Sequence, residues 1–179
     1  MTRRLSCLLG VMLVVLAACS SVSVKHDYDT ETDFSKYRNY AWMDREIPGD
    51  ELAKNPLIKK RVQVAVDATL ASKGYTLTEF EKADFVVVIH AGIKERMRIQ
   101  DWGRYGWYDP WWGPYGGRVD VSYYEEGTLV VDIIDAKAKE LVWRGMGTGI
   151  VKAYSKPEKM QKAMDEDVTK ILSAFPPGK

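Results

Sequence analysis

The stretch Leu129-Val130-Val131-Asp132-Ile133-Ile134, followed after a short polar break by Leu141-Val142-Trp143-Arg144-Gly145, decides the fold. Two short apolar runs rich in β-branched residues, separated by a turn-like segment at Asp135–Lys139, predict an antiparallel β-hairpin with Trp143 buried. Asp135 is expected to shape the turn, because an aspartate bonds readily to nearby backbone amides. Beyond the second run, Gly145, Gly147 and Gly149 occupy alternate positions on the face of Trp143. Glycines on one strand face signal the close approach of another backbone or a helix.

Working outward, Ile93, Met97 and Ile99 alternate with Lys94, Arg96 and Arg98, and Val119, Val121 and Tyr123 alternate with Asp120, Ser122 and Tyr124. The two stretches read as arms of one long hairpin closed by residues 101–118. Upstream, Phe85–Ile89 is apolar at every position, which predicts a strand covered on both faces. Tyr75–Phe80 reads as a short strand, and residues 44–55 as a polar loop. Between them Ile58, Val62, Ala65, Val66, Thr69 and Leu70 form one stripe at helical spacing. Asn55 is placed to cap that helix, Pro56 to start it and Gly74 to end it. Nearer the N-terminus, Val22, Val24, His26 and Tyr28 recur with period two, a half-buried strand, and Tyr40-Ala41-Trp42 follows a turn as a second. At the other end Met160, Ala163, Met164, Val168, Ile171, Leu172 and Phe175 form the stripe of a last helix. Ser155 and Glu158 have the spacing of a capping box, and Pro176-Pro177 stops the helix. The expected fold is a single α+β domain, a mainly antiparallel sheet with two amphipathic helices on one face, since both apolar stripes need a cover.

The first nineteen residues are of a different kind. Arg3 and Arg4 precede an apolar run, Leu5 to Leu16, that matches a signal-peptide core (~7–15 residues). It falls short of the ~20 residues needed to cross a bilayer. The run ends in Leu16-Ala17-Ala18-Cys19, which resembles the lipobox of bacterial lipoproteins. The resemblance implies a signal peptide over 1–18 and a mature domain over 19–179 whose first residue, Cys19, carries lipid. Several acyl chains, at ~0.8 kcal/mol per buried methylene, make a lasting anchor. Cys7 leaves with the signal, so the mature chain keeps one cysteine and no disulfide framework is available to it. Ser20 after the cysteine points, by resemblance to lipoprotein sorting in enteric bacteria, to the inner leaflet of the outer membrane, facing the periplasm.

Lys and Arg number 26 and Asp and Glu 25; removal of Arg3 and Arg4 leaves 24 − 25, a net charge of −1. So balanced a chain offers no field for nucleic acid. No phosphate-cradling glycine loop, catalytic serine motif or H-E-x-x-H motif is present, so neither an enzyme nor a cofactor is expected. His26 and His90 are the only histidines; two residues so far apart in sequence do not define a metal site, which needs three or four converging ligands. A satisfied core or interface position is the expectation for His90.

Residues 101–118 are the unusual segment. They hold Trp102, Tyr105, Trp107, Tyr108, Trp111, Trp112 and Tyr115 among interspersed glycines and prolines, with neither helical nor strand periodicity. As a recognition surface, these rigid rings with polar tips suit sugar rings or a protein partner. Two other readings stand beside that one: the aromatics fold into a mini-core local to the loop, or the segment has no fixed structure.

Several segments together resemble a known family. They are Val24–Asp29 followed by Asp33-Phe34-Ser35-Lys36-Tyr37 and Tyr40-Ala41-Trp42, then Ala83-Asp84-Phe85, then Gly127 through Asp135, and last Leu141-Val142-Trp143-Arg144-Gly145. The chain is similar to the bacterial envelope lipoproteins grouped as domain of unknown function 4136. That family carries no agreed activity, so the resemblance implies class and location without a mechanism. The resulting expectation is a non-enzymatic, lipid-anchored envelope protein that binds a protein or a glycan such as peptidoglycan through the aromatic loop. A structural or assembly accessory acting through a sheet edge or groove is the alternative, and an envelope hydrolase a remote one.

Overall fold

The computed structural model describes residues 22–43, 47–101, 119–152, 154 and 156–178, with the backbone alone over 95–101 and 119–124. Six strands, β1 (Ser23–Tyr28), β2 (Asn39–Trp42), β3 (Thr76–Leu77), β4 (Phe85–Asp101), β5 (Val119–Asp135) and β6 (Leu141–Ile150), form one sheet in the order β1-β6-β5-β4-β2-β3. Pairing is antiparallel from β1 to β4, whereas β2 runs parallel to both β4 and β3. The fold is therefore α+β with a mostly antiparallel sheet.

Among the described residues three α-helices accompany the sheet: α1 (Glu51–Lys54), α2 (Pro56–Ser72) and α3 (Pro157–Ile171). The apolar stripes of α2 and α3 lie on one sheet face. Val62, Val66 and Leu70 of α2, and Val168 and Ile171 of α3, meet Phe85, Val87, Val131, Ile133 and Trp143 in one buried cluster. The two helices run side by side in the same direction: Arg61 donates to the Pro157 carbonyl at 3.3 Å, and the Thr69 and Thr169 hydroxyls lie 3.4 Å apart. Phe85 is the hub of the core. Its ring stands 5.3 Å from Tyr75, 5.7 Å from Phe175 and 5.8 Å from Tyr40. Edge-to-face and offset pairs of this kind each add ~0.5–1.5 kcal/mol beyond area burial. Alternation sends Ala41, Val86 and Ile134 to the opposite face, into a smaller cluster with Ala83. Phe85–Ile89 is thus buried on both faces, as its unbroken apolar run predicts.

The glycine stripe of β6 is where α3 comes closest. A Cβ on Gly145 would stand 2.8 Å from Ile171 Cγ2, and one on Gly147 2.6 Å from Ile171 Cδ1. At the end of α2, Gly74 takes φ +90°, the left-handed conformation that glycine adopts without a Cβ penalty.

Some expectations are corrected. Residues 44–55 are not all loop: Asp50 caps the short helix α1 by accepting from Leu52 N at 3.0 Å. Asn55 precedes α2, yet its side chain makes no cap bond and donates to the Glu51 carbonyl instead, because α1 lies within its reach. The strand of 75–80 is only Thr76–Leu77, and a 3-10 turn takes over at Phe80–Lys82. The residue capping α3 is Lys156, without a side-chain bond, and Ser155 lies outside the described residues. Finally, the two hairpins share a strand: β5 runs unbroken for 17 residues, pairing with β4 along its whole length and with β6 beyond Glu125.

Candidate functional site

The long hairpin is built by register. Phe85 pairs with Asp135 at one end of the β4–β5 ladder and Asp101 with Val119 at the other. β6 ends at Ile150, opposite Glu126, with one more bond from Val151 N to the Glu125 carbonyl at 2.9 Å, so among the described residues the ladder beyond Glu125 is a two-stranded arm. The segment carrying Trp102, Tyr105, Trp107, Tyr108, Trp111, Trp112 and Tyr115 connects Asp101 to Val119. It lies outside the described residues, as does Cys19; what the structure fixes is that the segment's two ends are neighbours.

The opposite end of the sheet gathers charged groups, and Asp84, Asp132 and Asp135 there have structural tasks. Asp135 accepts from the Tyr37 hydroxyl, Lys137 N and Ala138 N, all at 2.8 Å, and so shapes the β5–β6 turn. Burial pushes its carboxyl up, but those donors outweigh burial and hold it below its ordinary range. Conversely, burial and the bond to Asp135 push the Tyr37 hydroxyl well above its ordinary value. Asp84 accepts from Arg38 N and Asn39 N, both at 2.9 Å, at the entry to β2. On α2, Asp67 braces the sheet by accepting from Tyr40 at 2.7 Å and Trp42 at 2.9 Å.

Across β5 and β6, Asp132 and Arg144 face each other in register and make a two-pronged ion pair, 2.6 and 2.7 Å long. The bond to Asp132 raises Arg144 above its ordinary value, against the opposing effect of burial. The Trp143 indole is buried, with Nε1 lacking a hydrogen-bond partner among the described residues.

Among the described residues, clefts open at this end. One, of about 310 Å³, is bordered by Asp27, Asp29, Leu141 and Arg144. The other, of about 370 Å³, has Phe34, Tyr37 and Tyr75 at its walls and Arg38 and Lys73 among its lining residues. Burial raises the Tyr75 hydroxyl and the nearby Arg38 charge opposes the rise. Both clefts are assembled from segments far apart in sequence, which is why local pattern does not reveal them. In the first, Asp29 is occupied by Thr32 and by Glu31 N, and Arg144 by Asp132.

The histidines are not brought together. His26 lies on the helix-bearing face of the edge strand, exposed and stacked 6.5 Å from Tyr28, while His90 is on the other face. His90 is half-buried, and its Nδ1 has no hydrogen-bond partner among the described residues. Among the described residues no group of three or more His, Cys, Asp or Glu is arranged to hold a metal ion, and no helix is long and apolar enough to cross a membrane.

An α+β domain with a long β-hairpin arm and an ion-paired Asp132–Arg144 ladder is the class defined so far. The profile of one family, described as a domain of unknown function (DUF4136), matches residues 24–177, and the chain belongs to that family. A DUF4136 family protein from Bacteroides thetaiotaomicron is 17% identical, with a TM-score of 0.52, over 87% of this chain and 96% of its own. A PDZ domain protein from Parabacteroides distasonis is 12% identical with a TM-score of 0.56. That likeness covers 89% of this chain, which spans only 37% of the Parabacteroides protein. At these identities the similarity is one of fold. No curated protein matches the sequence significantly.

Proposed function

We propose that this protein is a lipid-anchored component of the bacterial cell envelope that acts by contact rather than catalysis, with the aromatic segment of the long hairpin as its contact surface. The observation that carries the reading is Leu16-Ala17-Ala18-Cys19, a lipobox behind a signal-length apolar run, placed three residues ahead of Val22. Val22 is already held to the domain, its carbonyl accepting from Lys170 Nζ at 2.7 Å. Ser20 supports the outer membrane as the destination. Action without catalysis is supported by the carboxylates of the sheet end, which are engaged in turns and an ion pair. The rings of residues 102–115 suit a protein or a glycan such as peptidoglycan as partner.

Cell fractionation of a Cys19→Ala variant tests the reading. The parent is expected in the membrane fraction at the mature size. The variant should accumulate as a precursor still carrying residues 1–18. Equal processing and equal distribution of the two would remove the anchor from the account.

A further inference from the structure

The cleft walled by Phe34, Tyr37 and Tyr75 presents donors that the fold itself does not use. The Arg38 guanidinium is held by one nitrogen: Nη1 donates to the Ser35 carbonyl at 2.8 Å and to the Tyr37 carbonyl at 2.7 Å. Its Nε and Nη2 make no bond among the described residues. Neither acid that flanks this turn takes up that edge. Asp33 is engaged by Ser35 and Lys36, and Asp84 by the Arg38 and Asn39 amides. Arg144 shows what the same edge does when it meets a carboxylate: its Nε and Nη2 grip the two oxygens of Asp132 at 2.6 and 2.7 Å.

The second donor is Tyr75. Its ring is fixed between Phe85 and Phe175, 5.3 and 5.5 Å away, and the residue is 8% exposed. The hydroxyl makes no hydrogen bond among the described residues and is not sealed in the core, so it is the part of Tyr75 that faces the cleft. Backbone geometry keeps the two donors side by side: Tyr75 follows the left-handed turn at Gly74, and Thr76 N donates to the Arg38 carbonyl at 2.9 Å. The remaining walls are rings, Phe34 and Tyr37 on one side and Pro176 and Pro177 among the rest. The cleft's volume of about 370 Å³ lies at the small end of ligand pockets, which run to ~300–1,000 Å³.

We propose that this cleft binds a small carboxylate carried on a ring, with the Nε–Nη2 edge of Arg38 holding the carboxylate and the Tyr75 hydroxyl donating beside it. The edge offers two parallel N–H groups at the spacing of a carboxylate's two oxygens, the geometry in which arginine gains both strength and specificity. Anchoring of Nη1 by two carbonyls fixes the plane of the guanidinium before any ligand arrives, which lowers the ordering cost of binding. One fork and one hydroxyl match two oxygens and leave the third oxygen of a phosphate without a donor, so carboxylate is the favoured anion. The aromatic and proline walls receive the ring that carries it. The site lies at the other end of the sheet from residues 101–118 and requires neither that segment nor the lipid.

Ligand-observed saturation-transfer NMR on the full protein in detergent tests the site. The probes are benzoate and glucuronate, with benzamide and methyl glucoside as their uncharged counterparts. Saturable transfer to at least one acid and none to its counterpart is expected, and the acid that binds tells whether the ring is aromatic or a sugar. Arg38→Lys keeps the charge but not the paired donors, and should weaken binding by ~10-fold or more. Tyr75→Phe should weaken it by ~3-fold or more while leaving the melting temperature unchanged, because its hydroxyl has no partner in the fold to lose. Should Arg38→Lys fail to fold, since Arg38 also ties the Ser35–Tyr37 turn, Tyr75→Phe decides alone. Transfer to no probe, transfer to acid and counterpart alike, or an affinity that either folded variant leaves unmoved would overturn the proposal. Inorganic phosphate that displaces the acids at concentrations below their own would overturn the carboxylate assignment.

Discussion

The six-membered ring of Trp143 occupies the space that a side chain on Gly145, two residues along β6, would need. Ile171 of α3 closes the same space from above, 2.8 Å from where that Cβ would be. Gly145→Ala should therefore destabilise the domain by ~1–3 kcal/mol, the usual cost of overpacking a core. Gly92→Ala is the control: nothing lies within 4 Å of its added Cβ, and its effect should stay within ~0.5 kcal/mol. Trp143→Ala, which empties the site, should cost ~3–5 kcal/mol. Urea denaturation of the three variants measures all of this, and equal midpoints for Gly145→Ala and Gly92→Ala would contradict the packing described.

The Asp132–Arg144 pair should respond unequally to loss of either partner. The Asp132 side chain is 8% exposed and that of Arg144 41%. Removal of Arg144 strands a buried carboxylate, at a cost of ~3 kcal/mol. Removal of Asp132 leaves a guanidinium that water reaches, and the cost should be only ~1 kcal/mol. The contrast between Arg144→Ala and Asp132→Ala in denaturation midpoints checks the asymmetry; the reverse order would place the pair at the surface.

Alkaline pH should weaken the fold through Tyr37 and Tyr40. Both hydroxyls are raised above the ordinary ~10, by burial and then by bonds to Asp135 and Asp67. In the window above ~10 the folded state keeps protons that the unfolded state has lost. Their contribution is therefore full below ~10 and falls away as pH rises toward the folded-state values. Tyr37→Phe and Tyr40→Phe should each flatten the decline of stability measured between pH 10 and 11.5. An unchanged slope in both would show that neither hydroxyl is held as described.

The closing segment of the hairpin should be dispensable for folding. Asp101 and Val119 pair in register, so a two-residue Asn-Gly turn in place of residues 102–118 joins strands already aligned. The shortened protein should melt near the parent's temperature. It keeps only Trp42 and Trp143 of six tryptophans, and should lose the fraction of fluorescence that acrylamide quenches. A collapse in melting temperature would make those rings part of the core.

Much of this fold is legible in the sequence, because it is written in local periodicity. Alternation around Trp143 gives the β5–β6 hairpin, the stripes of α2 and α3 give their buried faces, and Gly145 and Gly147 announce the approach of α3. What escapes lacks a local signal. Helix α1 is four residues long with one buried apolar residue, Leu52, too few for a period. The two hairpins read as separate units, yet Glu125-Glu126-Gly127 continues one strand through the row where β6 ends. The parallel pairing of β2 with β4 depends on Asp84 reaching back to Arg38 and Asn39, a contact across 45 and 46 positions that no window of sequence contains. The clefts at the turn-bearing end are assembled from distant segments in the same way, whereas Cys19 and the aromatic run are visible from composition alone.

Mass spectrometry of the N-terminal peptide of the mature protein tests the central claim most directly. The account predicts that the peptide begins at Cys19 and carries the mass of a diacylglyceryl group on its sulfur, with residues 1–18 absent. A mature chain that begins elsewhere, or with an unmodified Cys19, would contradict it.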